Sequence, residues 1–200
     1  MKIDRIIKTA ALSTALNALV SAIHLYLGIQ GSSWWFVTLG IYYAMLGTSR
    51  LTVILMRENV RDRIVSAYTG AALTATSLPL LGMVILCSFI EVGHEYHEIL
   101  MITMAAYAFT KVTLGIINLI RVKRDGRAYR RALRNISLSD ALVSIASLQR
   151  SMLLSFGEMT SHDITLFNIL TGTGVSILIF LLGLNLIHRL RGPPSPLGKA

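Results

Sequence analysis

The chain has 200 residues, of which 54% are hydrophobic and only 14% are charged. Soluble domains of ordinary composition carry about a quarter charged residues, so this balance argues against a soluble domain. The net charge of +9 would suit nucleic-acid binding, but the basic residues fall in alternate segments between apolar runs. We therefore expect an integral membrane protein whose partner is the lipid bilayer and not a nucleic acid.

Six apolar stretches follow one another along the chain. Each is close to the ~20 residues that a helix rising ~1.5 Å per residue needs to cross ~30 Å of hydrocarbon. The predicted spans are 9–30, 34–56, 66–90, 99–120, 138–156 and 165–187. Residues 1–190 are thus predicted to form one all-α domain, a six-transmembrane-helix bundle. The tail 191–200 contains the prolines of GPPSP and is predicted to be disordered in the cytoplasm.

The placement of lysine and arginine predicts the topology. Apart from three that lie within predicted spans, these residues fall in the N-terminal segment, the second and fourth connections and the tail, whereas the first, third and fifth connections contain none. The positive-inside rule then places both termini of this multi-pass protein on the cytoplasmic side of the cell membrane. The first, second and fifth connections are short, so the helices that they join are expected to be antiparallel neighbours.

The fourth connection, RVKRDGRAYRRALRNIS, is the longest and is mostly basic. Its YRRALR portion is compatible with a continuation of the fifth helix into the cytoplasm. One interpretation is a solvated loop of the kind that the topology requires, and the other is a surface that binds anionic lipid head groups. The candidate lipid-binding residues are Arg124, Arg127, Arg130 and Arg131.

Ionisable residues inside a span are costly and are therefore candidates for function. Arg50 lies about 10 Å from the cytoplasmic edge, because Arg57 follows two helical turns later, and Asp140 lies near the cytoplasmic start of the fifth span. Since these depths overlap, we expect an ion pair between the second and fifth helices. The alternative is that Arg50 snorkels to the interface and that Asp140 caps its helix.

Two further cations lie within the spans: Lys111 near the middle of the fourth, and Arg150 in the outer half of the fifth. The sequence shows no evident carboxylate partner for either. Together with Arg50 they place three basic groups against one acidic group in the bundle. That excess would repel a divalent cation and would suit an anionic ligand or a lipid phosphate.

Two polar residues of the first span, Asn17 and His24, share one helix face with Gly28. They are candidates for a transport pathway. The alternative is that they are hydrogen-bond partners of a neighbouring helix.

The third connection, EVGHEYHE, places two histidines among glutamates. Imidazole nitrogens and carboxylate oxygens can hold a borderline divalent ion, so His94, His97, Glu91 and Glu95 form a candidate metal site in an outer loop. An acidic outer loop is also expected from the topology alone.

Two stretches of the sequence resemble the cation diffusion facilitator family. NALVSAIHLYLGIQGSSWW is similar to the first helix of that family, with Asn17, His24, Gly28 and the turn at Gly31 in the matching places. RVKRDGRAYRRALRNISLSDALVSIASL is similar to the basic connection into its fifth helix, where Asp140 falls on the aspartate of an HxxxD motif.

The resemblance implies six transmembrane helices with both termini in the cytoplasm, a homodimer, and the exchange of zinc or a similar ion for protons. The metal site departs from the family's pattern, because Ile136 replaces the histidine of HxxxD, and Tyr42 and Leu46 stand where the second helix supplies ligands. A register one turn later would use Leu46 and Arg50. Since a tetrahedral zinc site needs three or four ligands, we expect no tightly bound zinc in the bundle.

The working function is therefore a membrane protein resembling the transmembrane domain of these transporters, namely a secondary transporter without the usual zinc site. The alternative is a non-transporting membrane protein that binds lipid, an anion or a partner protein. An enzyme is not expected, because the sequence shows no pair of nucleophile and base, no catalytic metal motif and no phosphate-binding loop.

Overall fold

A computed structural model describes residues 2–57, 60–90, 98–122, 128–156 and 160–188. Within them the chain is all-α and forms six helices, as predicted. The helices are α1 (Lys2–Gln30), α2 (Trp34–Leu55), α3 (Asp62–Ile90), α4 (Glu98–Val122), α5 (Ala128–Phe156) and α6 (Ser161–His188). The tail 191–200 lies outside the described residues, and so do Glu91, His94, Glu95, His97, Arg124 and Arg127.

A tight turn makes α1 and α2 antiparallel neighbours. The backbone N–H of Gly31 donates to the Leu27 carbonyl at 2.8 Å, and that of Ser33 donates to the Gly28 carbonyl at 3.0 Å. These bonds satisfy carbonyls at the end of α1 that have no partner within the helix. Ser32 takes up the reversal of direction with a left-handed φ of 48°.

The central helix of the bundle is α5. It packs against α2, α3, α4 and α6, whereas α1 packs mainly on α2, and α3 mainly on α6. Nearly all of its described side chains are buried or half-buried. A helix that is surrounded by other helices needs no apolar face toward lipid, so α5 can carry many polar residues. Its buried polar side chains include Arg130, Ser137, Asp140, Ser144, Ser147, Arg150 and Ser151.

The distribution of side chains differs from that in a soluble protein, because many polar and charged groups share the interior with the apolar core, and many large apolar groups lie outside. Asn17, Arg50 and Asp140 are at most 1% exposed. Six of the large apolar side chains that are more than half exposed are Leu12, Tyr26, Ile29, Leu55, Phe109 and Leu170. Soluble monomers rarely expose apolar surface this extensively, so the outer surface is suited to an apolar environment.

Four stretches are long and apolar enough to cross a membrane, and together they indicate a multi-helix protein in contact with a lipid bilayer. They are Ala10–Gln30, Trp34–Leu55, Asp62–Leu86 and His162–His188. In the described part of α4 the apolar stretch is shorter, Ala105–Ile117. α5 has no such apolar stretch in its described part, because it carries many charged and polar side chains. The prediction that all six helices cross the membrane stays a prediction.

Glycines bring α3 and α6 into close contact. A Cβ added at Gly183 would lie 2.8 Å from the carbonyl oxygen of Gly70 and 2.9 Å from the backbone nitrogen of Thr74. Around Gly174, on the same helix, no other group lies within 4 Å of such a Cβ. The close packing of α3 on α6 therefore requires glycine at Gly183 but not at Gly174.

We predict that Gly183→Ala lowers the stability of the detergent-solubilised protein by about 1–3 kcal/mol, because backbone atoms block the added methyl group. Gly174→Ala should leave the stability unchanged or raise it by up to about 1 kcal/mol, because alanine favours the helix over glycine. Thermal unfolding followed by circular dichroism measures both. Equal melting temperatures for Gly183→Ala and the native chain would contradict the close approach.

Candidate functional site

Asp140 lies at the centre of a buried polar cluster. Its helix begins at Ala128, so the carboxylate stands about three turns inside α5, and it is 1% exposed. A residue at that depth does not cap the helix, and the alternative interpretation of Asp140 as a cap is wrong. The longer helix arises because YRRALR continues α5 toward its N-terminus, as the sequence allowed.

Arg50 of α2 reaches this carboxylate. Its Nη2 donates to Asp140 Oδ2 at 3.2 Å and to Ser137 Oγ at 3.4 Å, and its Nη1 donates to Ser13 Oγ. The predicted ion pair between the second and fifth helices is therefore confirmed. Arg50 is only 1% exposed, so the alternative that it snorkels to the interface is wrong. These three hydroxyl and carboxylate contacts replace water that a surface guanidinium would have.

Lys111 of α4 binds the same carboxylate oxygen. Its Nζ lies 2.6 Å from Asp140 Oδ2 and also donates to Asn17 Oδ1 of α1. The ammonium group lies 5.3 Å from the centroid of the Tyr107 ring. The sequence showed no evident carboxylate partner for Lys111, and the structure corrects that expectation. The sequence placed Lys111 near the middle of its span but Asp140 near the start of the fifth, whereas α5 begins at Ala128 and holds Asp140 about three turns inside. The rotation of α4 about its axis was not readable either.

The cluster combines two cations with one carboxylate in a water-poor interior. With all three groups ionised it carries one net positive charge. Two of its polar atoms, Asp140 Oδ1 and Asn17 Nδ2, are buried without a hydrogen-bond partner among the described residues. The cluster therefore offers one further acceptor and one further donor beside its ion pairs.

Aromatic side chains form one wall of the cluster. The Tyr43 hydroxyl lies 3.2 Å from Ser144 Oγ, and Ser144 Oγ donates to the Asp140 carbonyl at 2.8 Å. The Tyr43 ring packs edge-on against Tyr42 and Tyr107, with centroid distances of 5.9 and 6.0 Å. These rings exclude water and lower the local dielectric, which strengthens the ion pairs.

Sequence reasoning did not assign this role to Tyr43 or Tyr107. The signal was present in part, because Tyr107 precedes Lys111 by one helical turn and therefore shares its face.

The two polar residues of α1 have different surroundings. Asn17 joins the cluster through Lys111, as an interhelical hydrogen-bond partner. His24 instead donates its Nδ1–H to the Val20 carbonyl of its own helix at 2.8 Å. Its ring packs against Phe36 and Tyr43, with centroid distances of 5.6 and 5.5 Å. His24 is thus part of the aromatic wall.

Arg150 lies apart from Asp140, about 15 Å further along α5. Its guanidinium stacks over the ring of Trp35 at 4.7 Å, and the residue is 6% exposed.

The basic start of α5 is also more enclosed than a solvated loop. Arg130 is 9% exposed and donates through Nε to the Tyr129 hydroxyl at 3.0 Å, whereas Arg131 is half-buried.

The positions that would complete a metal site around Asp140 offer no ligand set. Leu46 and Ile136 are fully buried hydrocarbon, and the Tyr42 hydroxyl donates to the Ser139 carbonyl at 3.5 Å. In the described part of the chain, no group of three or more histidine, cysteine, aspartate or glutamate residues could hold a metal ion. The α2 residue that does reach Asp140 is Arg50, at the later of the two registers considered from the sequence.

A scan of the chain against protein-family models finds no match, and a comparison with curated proteins finds none either. The resemblance to cation diffusion facilitators therefore stays a proposal that rests on the residues quoted above.

The charge balance of the cluster predicts an order of stabilities. Asp140→Asn leaves Arg50 and Lys111 without a counter-charge and should cost about 3–5 kcal/mol. Lys111→Met removes one cation and leaves a neutral Arg50–Asp140 pair, so it should cost clearly less. The Lys111→Met, Asp140→Asn double variant should be more stable than Asp140→Asn alone, because only one cation is then stranded. Thermal unfolding in detergent measures all three, and additive losses would contradict the shared carboxylate.

Proposed function

We propose that this chain is a six-span membrane protein, with both termini in the cytoplasm, that acts as a non-transporting membrane scaffold. In this proposal the cations of Arg50 and Lys111 keep the interior of the bundle closed. One observation carries this proposal: Asp140 Oδ2 binds both Arg50 and Lys111. In the resemblance to cation diffusion facilitators, this aspartate is the position that would bind the metal.

Occupation of Asp140 by tethered cations argues against a divalent cargo. A zinc ion would have to displace two groups that are covalently attached to α2 and α4 and so remain nearby at high effective concentration. It would also meet a net positive charge in a medium of low dielectric constant. After displacement, Leu46 and Ile136 would still leave the ion short of ligands.

The polar interior and apolar exterior support the membrane part of the proposal. Four helices have apolar stretches of spanning length, and the cytoplasmic side is assigned by the placement of lysine and arginine. The charged residues of α5 are compatible with a span because they face other helices and not lipid.

A second candidate function is a secondary transporter with chemistry other than zinc exchange. It is favoured by the contact of 2.6 Å between Lys111 Nζ and Asp140 Oδ2, which is short enough for proton transfer, and by the unpartnered Asp140 Oδ1. The two functions differ in whether the Asp140 cluster opens during a cycle.

The topology predicts opposite locations for two reporter fusions. At the C-terminus, a reporter that works only in the cytoplasm should be active. At Gly93, a reporter that works only after export should be active, because the third connection contains no arginine or lysine. The measurement is the activity of both reporters, each of which works on only one side of the membrane, at both positions. A C-terminus outside the cytoplasm, or Gly93 inside it, would contradict the six-span arrangement.

Zinc flux tests the absence of metal transport. Purified chain in proteoliposomes should move zinc no faster than protein-free liposomes, with or without a pH gradient in either direction, because both cations hold Asp140. A zinc-sensitive dye inside the vesicles gives the rate. Flux above the protein-free rate that disappears in Asp140→Asn but persists in Gly174→Ala would refute the proposal and favour the transporter.

A further inference from the structure

A groove of about 400 Å³ lies between α1 and α2. Small side chains form its walls, with Ala18 and Ala22 on α1 and Ala44 and Gly47 on α2. Tyr43 and Leu51 also line it. Ala18, Ala22 and Leu51 are exposed, so the groove opens to the apolar outer surface of the molecule.

We propose that this groove binds one acyl chain of an anionic phospholipid from the cytoplasmic leaflet. This inference goes beyond the proposed scaffold function, and its choice of leaflet rests on the orientation proposed there.

The walls of the groove present hydrocarbon because their hydroxyl groups are already bonded within the protein. Thr14 donates to the Ala10 carbonyl at 2.9 Å, and Thr48 donates to the Ala44 carbonyl at 3.0 Å. Ser21 donates across to the Gly40 carbonyl at 2.7 Å. These hydroxyl groups have no hydrogen left to donate to a polar ligand, whereas an apolar chain needs no hydrogen bond from them.

The dimensions of the groove favour a single chain over a helix of a second copy. Its lining on α1 extends from Thr14 to Leu25, a length of roughly 16 Å at ~1.5 Å per residue. A volume of 400 Å³ over that length corresponds to a cross-section of about 25 Å². A helix with its side chains is ~10–12 Å across and needs several times that area. A single file of methylene groups, each with its carbon ~4 Å from the nearest carbon atoms of the wall, fits.

Charges beyond one end of the groove select the head group. In the proposed orientation, Thr14 and Leu51 mark the cytoplasmic end. The exposed Lys8 and the half-buried Arg57 each lie about 9 Å further along their helix axis or its continuation. Basic residues at this depth attract the phosphate of anionic lipids. A phospholipid with its chain in the groove would have its head group at about the depth of these two cations.

Native mass spectrometry tests the proposal on the full chain, purified from membranes and exposed to equal amounts of phosphatidylglycerol and phosphatidylcholine. The native chain should retain phosphatidylglycerol, at about one molecule per chain. Ala22→Leu fills the groove and should lower that retention about tenfold, because the added side chain takes the space of about two or three methylene groups and their packing contacts are lost. Ala44→Leu fills it from the opposite wall and should act alike.

Ala15→Leu is the matched control, because Ala15 is an exposed alanine of α1 that does not line the groove. It should retain lipid as the native chain does. Unchanged retention in both groove variants would overturn the proposal, as would equal retention of the two lipids. A dimer that Ala22→Leu dissociates would assign the groove to a second copy instead. Lipid retention is measured independently of zinc flux and of reporter topology. If the chain transports zinc and also retains phosphatidylglycerol as expected, the scaffold function is refuted and the lipid-binding groove is not.

Discussion

The structure depends on one carboxylate oxygen that is shared by two cations from different helices. Asp140 Oδ2 of α5 binds Arg50 of α2 and Lys111 of α4, and these cations bind Ser13 and Asn17 of α1. Four helices therefore meet at a single point in a low-dielectric interior, where loss of the carboxylate strands both cations. The same contact occupies the carboxylate oxygen with two side chains of the protein and joins the helices around it.

The central position of α5 follows from this arrangement. A helix that carries Asp140, Arg150 and a series of buried serines is too polar to face lipid, and it is stable in the bundle because other helices surround it. The outer helices supply the apolar surface. Between two of them, α1 and α2, small residues leave a groove on that surface, and Tyr43 lines this groove while its hydroxyl contacts Ser144 beside the polar cluster.

The sequence predicted the features that depend on composition and depth, and it missed those that depend on helix rotation. Six helices followed from apolar length, and the Arg50–Asp140 pair followed from overlapping depths. The partner of Lys111 did not follow, because the predicted start of the fifth span at residue 138 placed Asp140 too near the cytoplasmic edge. A pattern of residues also does not give the direction in which a packed helix is turned. The groove was missed for the same reason, since it forms only when α1 and α2 face each other in one register.

The ionisation state of Asp140 is the most direct test of a cluster closed by its own cations. Infrared difference spectra between the native chain and Asp140→Asn, recorded in lipid at neutral pH, isolate the signal of this one carboxyl group. Because Arg50 and Lys111 both bind it, the native chain should show the bands of an ionised carboxylate and no C=O stretch of a protonated acid. A protonated carboxyl band that is lost in Asp140→Asn would contradict the shared ion pairs.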